Sequence, residues 1–294
     1  MYQMNNDTKN NIIDIALICP TLAGGLGAVT ITLAETMRKR GVSAEIWVLN
    51  KNQKIDLGTS VPVRPISNTR ASLSLFKLVR MLKTHQPKRI LSASFHLNCM
   101  VIFAKIISKI KTYLVIAEHT SLSNALEAIS LPKRVIAKVA IPALYRFSDA
   151  FVAVSNDAAR QMEIHARLTY NSVITIYNPI INDELFCASK KKFSHPFFKI
   201  NEHLFLSVGR ISKEKDYPTL IAAFAKANQT KASRLIIAGD GPEMGMLKKQ
   251  IAELDLSDRV AMLGHIPNPK PLYTYADVFV LSSKREGLPT VLVE

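Results

Sequence analysis

Two glutamates, Glu286 and Glu294, stand eight residues apart in REGLPTVLVE, around a Gly-Leu-Pro turn. Ionised carboxylates only accept hydrogen bonds, so each can receive two hydroxyl donors and fix the orientation of a polyol. Pro289 suits the first turn of a helix, where its missing amide costs nothing. That places Glu286 on the loop before the helix and Glu294 well along it, so the two do not share a helical face. Cations precede them. VGRISKEKDYPTLIAAF, residues 208–224, puts Arg210 directly after a strand, Lys213 and Lys215 in the following loop, and a helix after that. Cations at a strand's carboxyl end are where a diphosphate would need them. LIIAGDGPE, residues 235–243, gives a further strand ending in Gly-Asp-Gly-Pro.

Earlier in the chain, GGLGAV (residues 24–29) follows one strand candidate and opens a helix, so its amides could meet a phosphate. Gly25-x-Gly27 also begins a dinucleotide fingerprint. Thr30, however, stands where the third Gly or Ala belongs, and the second strand, ending near Asn50, offers no acid for a ribose. His119, in AEHTS, stands at the end of another strand. His96, in SFHLN, has the same topological place, and His265 precedes Ile266.

These residues need a scaffold. At 294 residues the chain exceeds what one core usually organises, which predicts two domains. Short β-branched runs alternate with amphipathic ones, the pattern of βα units on a parallel sheet. Strands are predicted at 12–19, 44–49, 89–93, 113–117, 151–154 and 173–176, with helices at 26–40, 72–84, 97–110 and 134–147. The period fails from Asn178 to about His203, then resumes with strands at 203–208, 234–238, 259–263 and 278–281 and helices at 217–228 and 244–254. The predicted division is a first domain over 1–180, a linker over 181–202 and a second domain over 203–294. The uncharged run from Ile15 to Ala34 holds Pro20, Gly24, Gly25 and Gly27, which argues for strand, turn and helix rather than a membrane span. Cys19, Cys99 and Cys187 suit neither a disulfide framework nor a zinc site, and point to a reducing, cytoplasmic compartment.

The block order strand-GR-x-K, AGDGPE, ADVFVLSS and EG-x₆-E resembles the retaining, nucleotide-sugar-dependent glycosyltransferases of family 4, with the GT-B fold. Looser matches lie at Gly24-Gly25, AEHTS, VSN (154–156) and IYNP (176–179). After Gly25 the chain has Gly27 and Ala28 where the commoner family form has an acid and a base. The resemblance implies two Rossmann-like, doubly wound parallel-sheet domains facing a cleft. It implies that Glu286 bonds sugar hydroxyls and Glu294 the ribose. Gly25, Arg210, Lys215, Ile266, Gly287, Leu288 and Thr290 complete the donor site, with Ile266 bordering the base through its main chain. His119 is implied to contact the transferred sugar or the acceptor, as a catalytic residue beside Glu286. Retention by front-face attack is implied, with the leaving phosphate helping to deprotonate the acceptor.

No Asp-x-Asp motif is present, and fixed cations can do a metal's work, so the expectation is metal independence and no cofactor beyond the nucleotide sugar as co-substrate. The donor is expected to be a UDP-linked hexose or N-acetylhexosamine. The formal charge of +15 points to an anionic partner. From Arg70 to Arg146 there are thirteen Lys or Arg against two acids, Glu118 and Glu127. LPKRVIAKVAIPALYRF reads either as a basic helix with an apolar side on a bilayer or as a core helix with a solvated basic face. No recognition motif or stacking platform accompanies the charge, which argues against nucleic acid. The expected acceptor is a lipid-linked saccharide of lipopolysaccharide or capsule type, made at the inner face of the plasma membrane. The family form continues beyond the equivalent of Glu294, so the resemblance implies an incomplete second domain with poorly covered apolar faces at Leu220–Phe224 and Val291–Val293. An inactive, nucleotide-binding remnant and a nucleotide-sugar epimerase of the same shape are the alternatives.

Overall fold

The computed structural model describes residues 13–22, 24–50, 59–67, 71–179 and 192–294. The chain divides into two compact units, Met1–Pro179 and Ile180–Glu294.

In the first unit, β1 (Ile15–Cys19), α1 (Gly24–Lys39), β2 (Ala44–Asn50) and β3 (Val63–Ser67) are followed by α2 (Ala71–His85), β4 (Arg89–Ala93) and α3 (Phe95–Ser108). Then come β5 (Tyr113–Glu118), α4 (Leu122–Glu127), α5 (Leu131–Tyr145), β6 (Ala150–Ala153), α6 (Asn156–Ala166) and β7 (Val173–Thr175). The seven strands form one parallel sheet in the order β3-β2-β1-β4-β5-β6-β7. All five residues of β1, IALIC, are buried, as expected for a strand covered by helices on both faces. One face packs Trp47, Ile90, Leu114 and Ile116 against α2, α3 and α5; the other packs Leu17, Ile46 and Val48 against α1.

The second unit opens with a 3-10 turn, Pro196–Lys199, whose Phe198 ring stacks on Tyr275 at 4.1 Å. This segment lacks a period because it contacts its unit through aromatic rings rather than through a regular face. Next come β8 (His203–Val208), a 3-10 turn Lys213–Lys215, α7 (Tyr217–Thr230), β9 (Ser233–Ala238), α8 (Met244–Glu253) and β10 (Val260–Gly264). The unit closes with α9 (Lys270–Tyr273), β11 (Val278–Phe279) and α10 (Thr290–Val293). Its four strands are parallel in the order β10-β9-β8-β11.

The α/β class with two parallel sheets is as the sequence predicts. Several elements differ. β3 is absent from the sequence prediction because Pro65 lowers its strand signal, and an edge strand tolerates proline. The helices α4, α6 and α9 are likewise additional, and α5 begins at Leu131 because Pro132 fits its first turn. Leu220, Ile221 and Phe224 are buried in the second core, against the expectation of a poorly covered face; α8 and β9 supply the cover through Leu247, Ile251, Leu235 and Ile237. Leu292 and Val293 are exposed. Most of the predicted linker, residues 181–191 with Cys187, lies outside the described residues.

Candidate active site

In each sheet the strand order reverses once, between β8 and β11 in the second unit and between β1 and β4 in the first. Loops leaving the carboxyl ends of such strands diverge and leave a crevice, where α/β folds bind ligands.

In the second unit, the loop after β8 carries Arg210, exposed, and Lys215, half-buried. The loop after β11 returns to meet it. Lys215 Nζ lies 2.5 Å from Glu286 Oε1, Ser282 Oγ donates to the Lys215 carbonyl at 2.7 Å, and the Lys284 amide donates to the Glu214 carbonyl at 2.8 Å. The predicted phosphate cation and the predicted sugar-binding carboxylate are therefore partners, 71 residues apart in sequence. Glu214 is held below the usual carboxylate range by the Ser212 side chain, its own backbone amide and the nearby Arg210 and Lys215 charges.

Glycine sets the shape of this edge. The amides of Gly209 and Ile211 donate to the Ala238 and Asp240 carbonyls, each at 3.0 Å, which draws the loops after β8 and β9 together. A Cβ on Gly239, at φ 157°, would fall 1.8 Å from the Gly209 oxygen, and one on Gly241 2.1 Å from the Ile211 oxygen. Only glycine allows these approaches.

The remaining predicted residues of this unit lie around the same edge. Ile266 packs against the cluster of Leu204, Leu206, Val208 and Leu272. Gly287 and Leu288 are half-buried in the loop before α10, and Thr290 is the first residue of that helix. Pro289 takes the capping position ahead of it, one place earlier than the proline rule suggests. Glu294 follows α10, and its amide donates to the Thr290 carbonyl at 3.0 Å, the spacing of a continuing helical turn. Its Oε2 accepts a hydrogen bond from the Tyr273 hydroxyl at 3.1 Å. Sequence reasoning missed Tyr273, as well as Ser283, whose Oγ is buried without a hydrogen-bond partner among the described residues. Ser283 closes the ADVFVLSS block, which was the available signal, whereas Tyr273 belongs to no recognisable local pattern.

In the first unit, Gly24 at φ 73° opens α1 directly after the loop from β1, and Gly25 is exposed in the first helical turn. A Cβ on Gly27 would sit 2.0 Å from the Leu22 oxygen, which explains that glycine. His119 follows β5 and lines a cavity of about 30 Å³ with Leu17, Val29, Thr30 and Ala93. Burial pushes its pKa down to about 4, and its Nδ1 is buried without a hydrogen-bond partner among the described residues. The imidazole is thus neutral across the physiological range.

Glu118, beside it, is 1% exposed. Its Oε1 accepts hydrogen bonds from the Tyr145 hydroxyl at 2.7 Å and from Asn98 Nδ2 at 2.9 Å. Burial pushes its pKa up to about 7 against the opposing effect of both donors. Asn98 Nδ2 also donates to the Ala117 carbonyl at 3.1 Å, so α3 and α5 together hold the end of the strand that carries His119. The sequence analysis names Glu118 only as a charge and within AEHTS. A carboxylate immediately before a histidine at a strand end was the available signal. His96 is exposed, its pKa lowered by partial burial and by the Lys133 charge, and the His265 side chain is also exposed.

Residues 23–184 match the family described as Glycosyltransferase Family 4, and residues 189–294 match Glycosyl transferases group 1. The chain is 28% identical over 299 aligned positions to the GalNAc-α-(1→4)-GalNAc-α-(1→3)-diNAcBac-PP-undecaprenol α-1,4-N-acetyl-D-galactosaminyltransferase of Campylobacter jejuni, covering 96% of this chain and 76% of that one. It is 24% identical over 230 residues to an uncharacterized glycosyltransferase of Methanocaldococcus jannaschii, covering 74% of this chain but 55% of the relative. Among solved structures, Anabaena HepE in complex with UDP superposes with a TM-score of 0.74 at 21% identity, covering 95% of this chain and 77% of that one. The shared architecture is the GT-B fold. Because the first of the two family matches spans more than half of its residues, the chain belongs to Glycosyltransferase Family 4.

Proposed function

We propose that the chain is a retaining, metal-independent glycosyltransferase. It moves a hexose or N-acetylhexosamine from a UDP-sugar to a lipid-linked saccharide of the cell envelope, at the cytoplasmic face of the membrane. The observation that carries this reading is the Lys215–Glu286 pair, which joins two loops at the strand-order reversal, with Arg210 on the loop that carries Lys215. An ammonium has three donors and a carboxylate two acceptor oxygens, so each partner keeps capacity after making the bond they share. Lys215 can donate to a phosphate oxygen while Glu286 accepts from a sugar hydroxyl, and each is pre-oriented by the other.

In the reaction, the bond between the anomeric carbon and the diphosphate oxygen breaks and negative charge develops on the β-phosphate. Arg210, Lys215 and the amides of Gly287 and Leu288 are assigned to that charge, and preorganised donors of this kind stabilise it without reorganisation. The departing phosphate takes the acceptor hydroxyl's proton as the new bond forms on the same face. Glu294 is assigned to the ribose hydroxyls, Ile266 to the edge of the base, Thr290 and Gly25 to the donor, and His119 to a hydroxyl of the transferred sugar or acceptor. A neutral imidazole acts there through hydrogen bonds rather than charge. UDP as the nucleotide is supported by the UDP named with HepE, and the lipid-linked acceptor by the undecaprenol-linked saccharide in the Campylobacter relative's name.

Calorimetric titration of UDP, GDP and ADP tests the donor half. UDP should bind selectively, and Arg210→Ala and Glu294→Ala should each weaken it by roughly 10- to 100-fold, the loss expected for charged hydrogen bonds. Unchanged affinity in both variants would sink the assignment.

A further inference from the structure

We propose that the amino edge of the seven-stranded sheet carries a second anion site, a lysine-lined cavity that takes a small, soluble, phosphate-dense anion of the diphosphate class. The cavity measures about 460 Å³. Two neighbouring turns build it, the one from α2 into β4 and the one from α3 into β5. Lys83, Gln86 and Lys88 line it from the first turn, and Ser108, Lys109, Ile110 and Lys111 from the second. The Tyr113 amide donates to the Lys88 carbonyl at 3.0 Å, which holds the two turns side by side.

Four of the lining residues are thus lysines, and none is an acid. Like charges gathered around one concavity repel each other, and their fields add inside it. Elsewhere on this edge the fold neutralises its cations. Lys105 Nζ lies 2.7 Å from Asp149 Oδ2, and Lys88 itself meets Asp14 Oδ1 at 2.8 Å. Lys83, Lys109 and Lys111 have no ion-pair partner among the described residues. Helix carbonyls draw cations to a helix's last turn, which accounts for Lys83 and Lys109. It does not account for Lys111, which stands past α3, two residues before β5. Lys109 also holds the left-handed cap position, at φ 56°, that glycine ordinarily takes, so a cation stands there at a backbone cost.

The lining selects the ligand. Lysine binds phosphate as a point charge with three donors, without the fixed geometry of an arginine fork. No aromatic ring lines the cavity, so a nucleobase finds nothing to stack on. Its one apolar side chain, Ile110, is half-buried and gives acyl chains nothing to enter. What remains is charge, and a compact anion with several oxygens meets several ammonium groups at once. Within its unit the cavity is separate from the His119 edge. It lies at the amino ends of β4 and β5, whereas His96 and His119 follow their carboxyl ends, a strand length of roughly 17 Å away.

Titration of tripolyphosphate with the chain, followed by phosphorus NMR linewidths, tests the proposal. Arg210→Gln/Lys215→Gln serves as the background, because it removes the cations proposed for the donor phosphates. Four exposed charge pairs at about fivefold each give a Kd near 1 mM in that background. Binding should be lost at about 0.5 M salt, where surface charges are screened. Adding Lys83→Gln/Lys111→Gln should weaken it about 25-fold. Adding Lys248→Gln/Lys249→Gln, on α8 of the other unit, removes the same charge and should leave it within about twofold. These four lysines are exposed, so circular dichroism should be unchanged. No binding in the background chain would overturn the proposal, since the anion would then belong to the donor cations. Equal weakening by the two added pairs would also overturn it, because binding would then report overall charge rather than this cavity.

Discussion

The carboxyl edges of the two sheets treat ionisable side chains in opposite ways. At the edge of the seven-stranded sheet they are buried and driven toward neutrality: burial lowers the His119 pKa to about 4 and raises that of Glu118 to about 7. At the edge of the four-stranded sheet they remain half-exposed and charged, with Lys215 bonded to Glu286 and Arg210 open to solvent. The difference follows from what surrounds them. His119 sits among Leu17, Val29 and Ala93, whereas the loops after β8 and β11 meet through polar contacts at the surface. An uncharged, apolar edge is suited to hydrogen-bonding neutral hydroxyls, and a charged one to a diphosphate. That division matches the roles proposed for the two units.

The comparison breaks most severely at Gly239. Its Cα approaches the Gly209 carbonyl so closely that an added methyl would lie 1.8 Å from the oxygen. Gly239→Ala must part the loops after β8 and β9, and the second unit should lose more than about 3 kcal/mol, read from its urea midpoint. A loss under about 1 kcal/mol would mean that the charged edge does not depend on this close contact.

The neutral edge can be tested by pH. Glu118 has a folded pKa raised to about 7 from 4.5, so its contribution to stability is complete below pH 4.5 and is lost as pH rises through about 7. His119 has a folded pKa lowered to about 4 from 6.5, so its contribution is complete above pH 6.5 and is lost as pH falls through about 4. Between these limits the two slopes oppose and largely cancel in the wild type. Each single substitution should expose the other. His119→Asn should lose stability relative to wild type as pH rises across this window, and Glu118→Gln should gain it, each by about 3 kcal/mol. Unfolding free energies measured between about pH 4 and pH 8 decide the matter. Curves parallel to the wild type for both variants would mean that these groups are not held neutral by the fold.

How much of this was legible in the sequence depended on range. Arg210, Lys215 and Glu286 could be picked out because each sits beside a strand end or a glycine turn, features that a few neighbouring residues define. The bond between Lys215 and Glu286 could not, since no local pattern reports a pairing across 71 residues. The same holds for Glu118 with Tyr145, 27 residues apart, and with Asn98, 20 apart. The parallel sheets were implied by alternating βα patterns, yet β3 escaped because its proline is allowed only by its place at the sheet edge. For α5 two readings stood open, an apolar side on a bilayer or a core helix with a solvated basic face, and neither foresees apolar residues on both sides. Ile141 and Tyr145 are buried in the core while Val135 and Val139 are in solvent. Leu220 and Phe224 were misjudged for a similar reason, because their cover comes from α8 and β9, a packing that no local pattern reports.

The smallest expected effect sharpens the comparison at Glu294. Its carboxylate is exposed and accepts a hydrogen bond from the Tyr273 hydroxyl at 3.1 Å. Tyr273 itself is anchored, with its ring edge-on to Phe279 at 5.6 Å and its pKa raised by burial and by Glu294. Tyr273→Phe keeps the ring and removes only the donor, so stability should change by less than about 0.5 kcal/mol. If Glu294 receives ribose hydroxyls, losing the donor that orients it should weaken UDP by about two- to fivefold through lost preorganisation. In a Glu294→Ala background the same change should then have no further effect, because nothing remains to be oriented. An undiminished loss in that background would move the role from Glu294 to the tyrosine hydroxyl itself. The charged edge would then bind the nucleoside through a neutral group, and the contrast between the two edges would apply only to the phosphates.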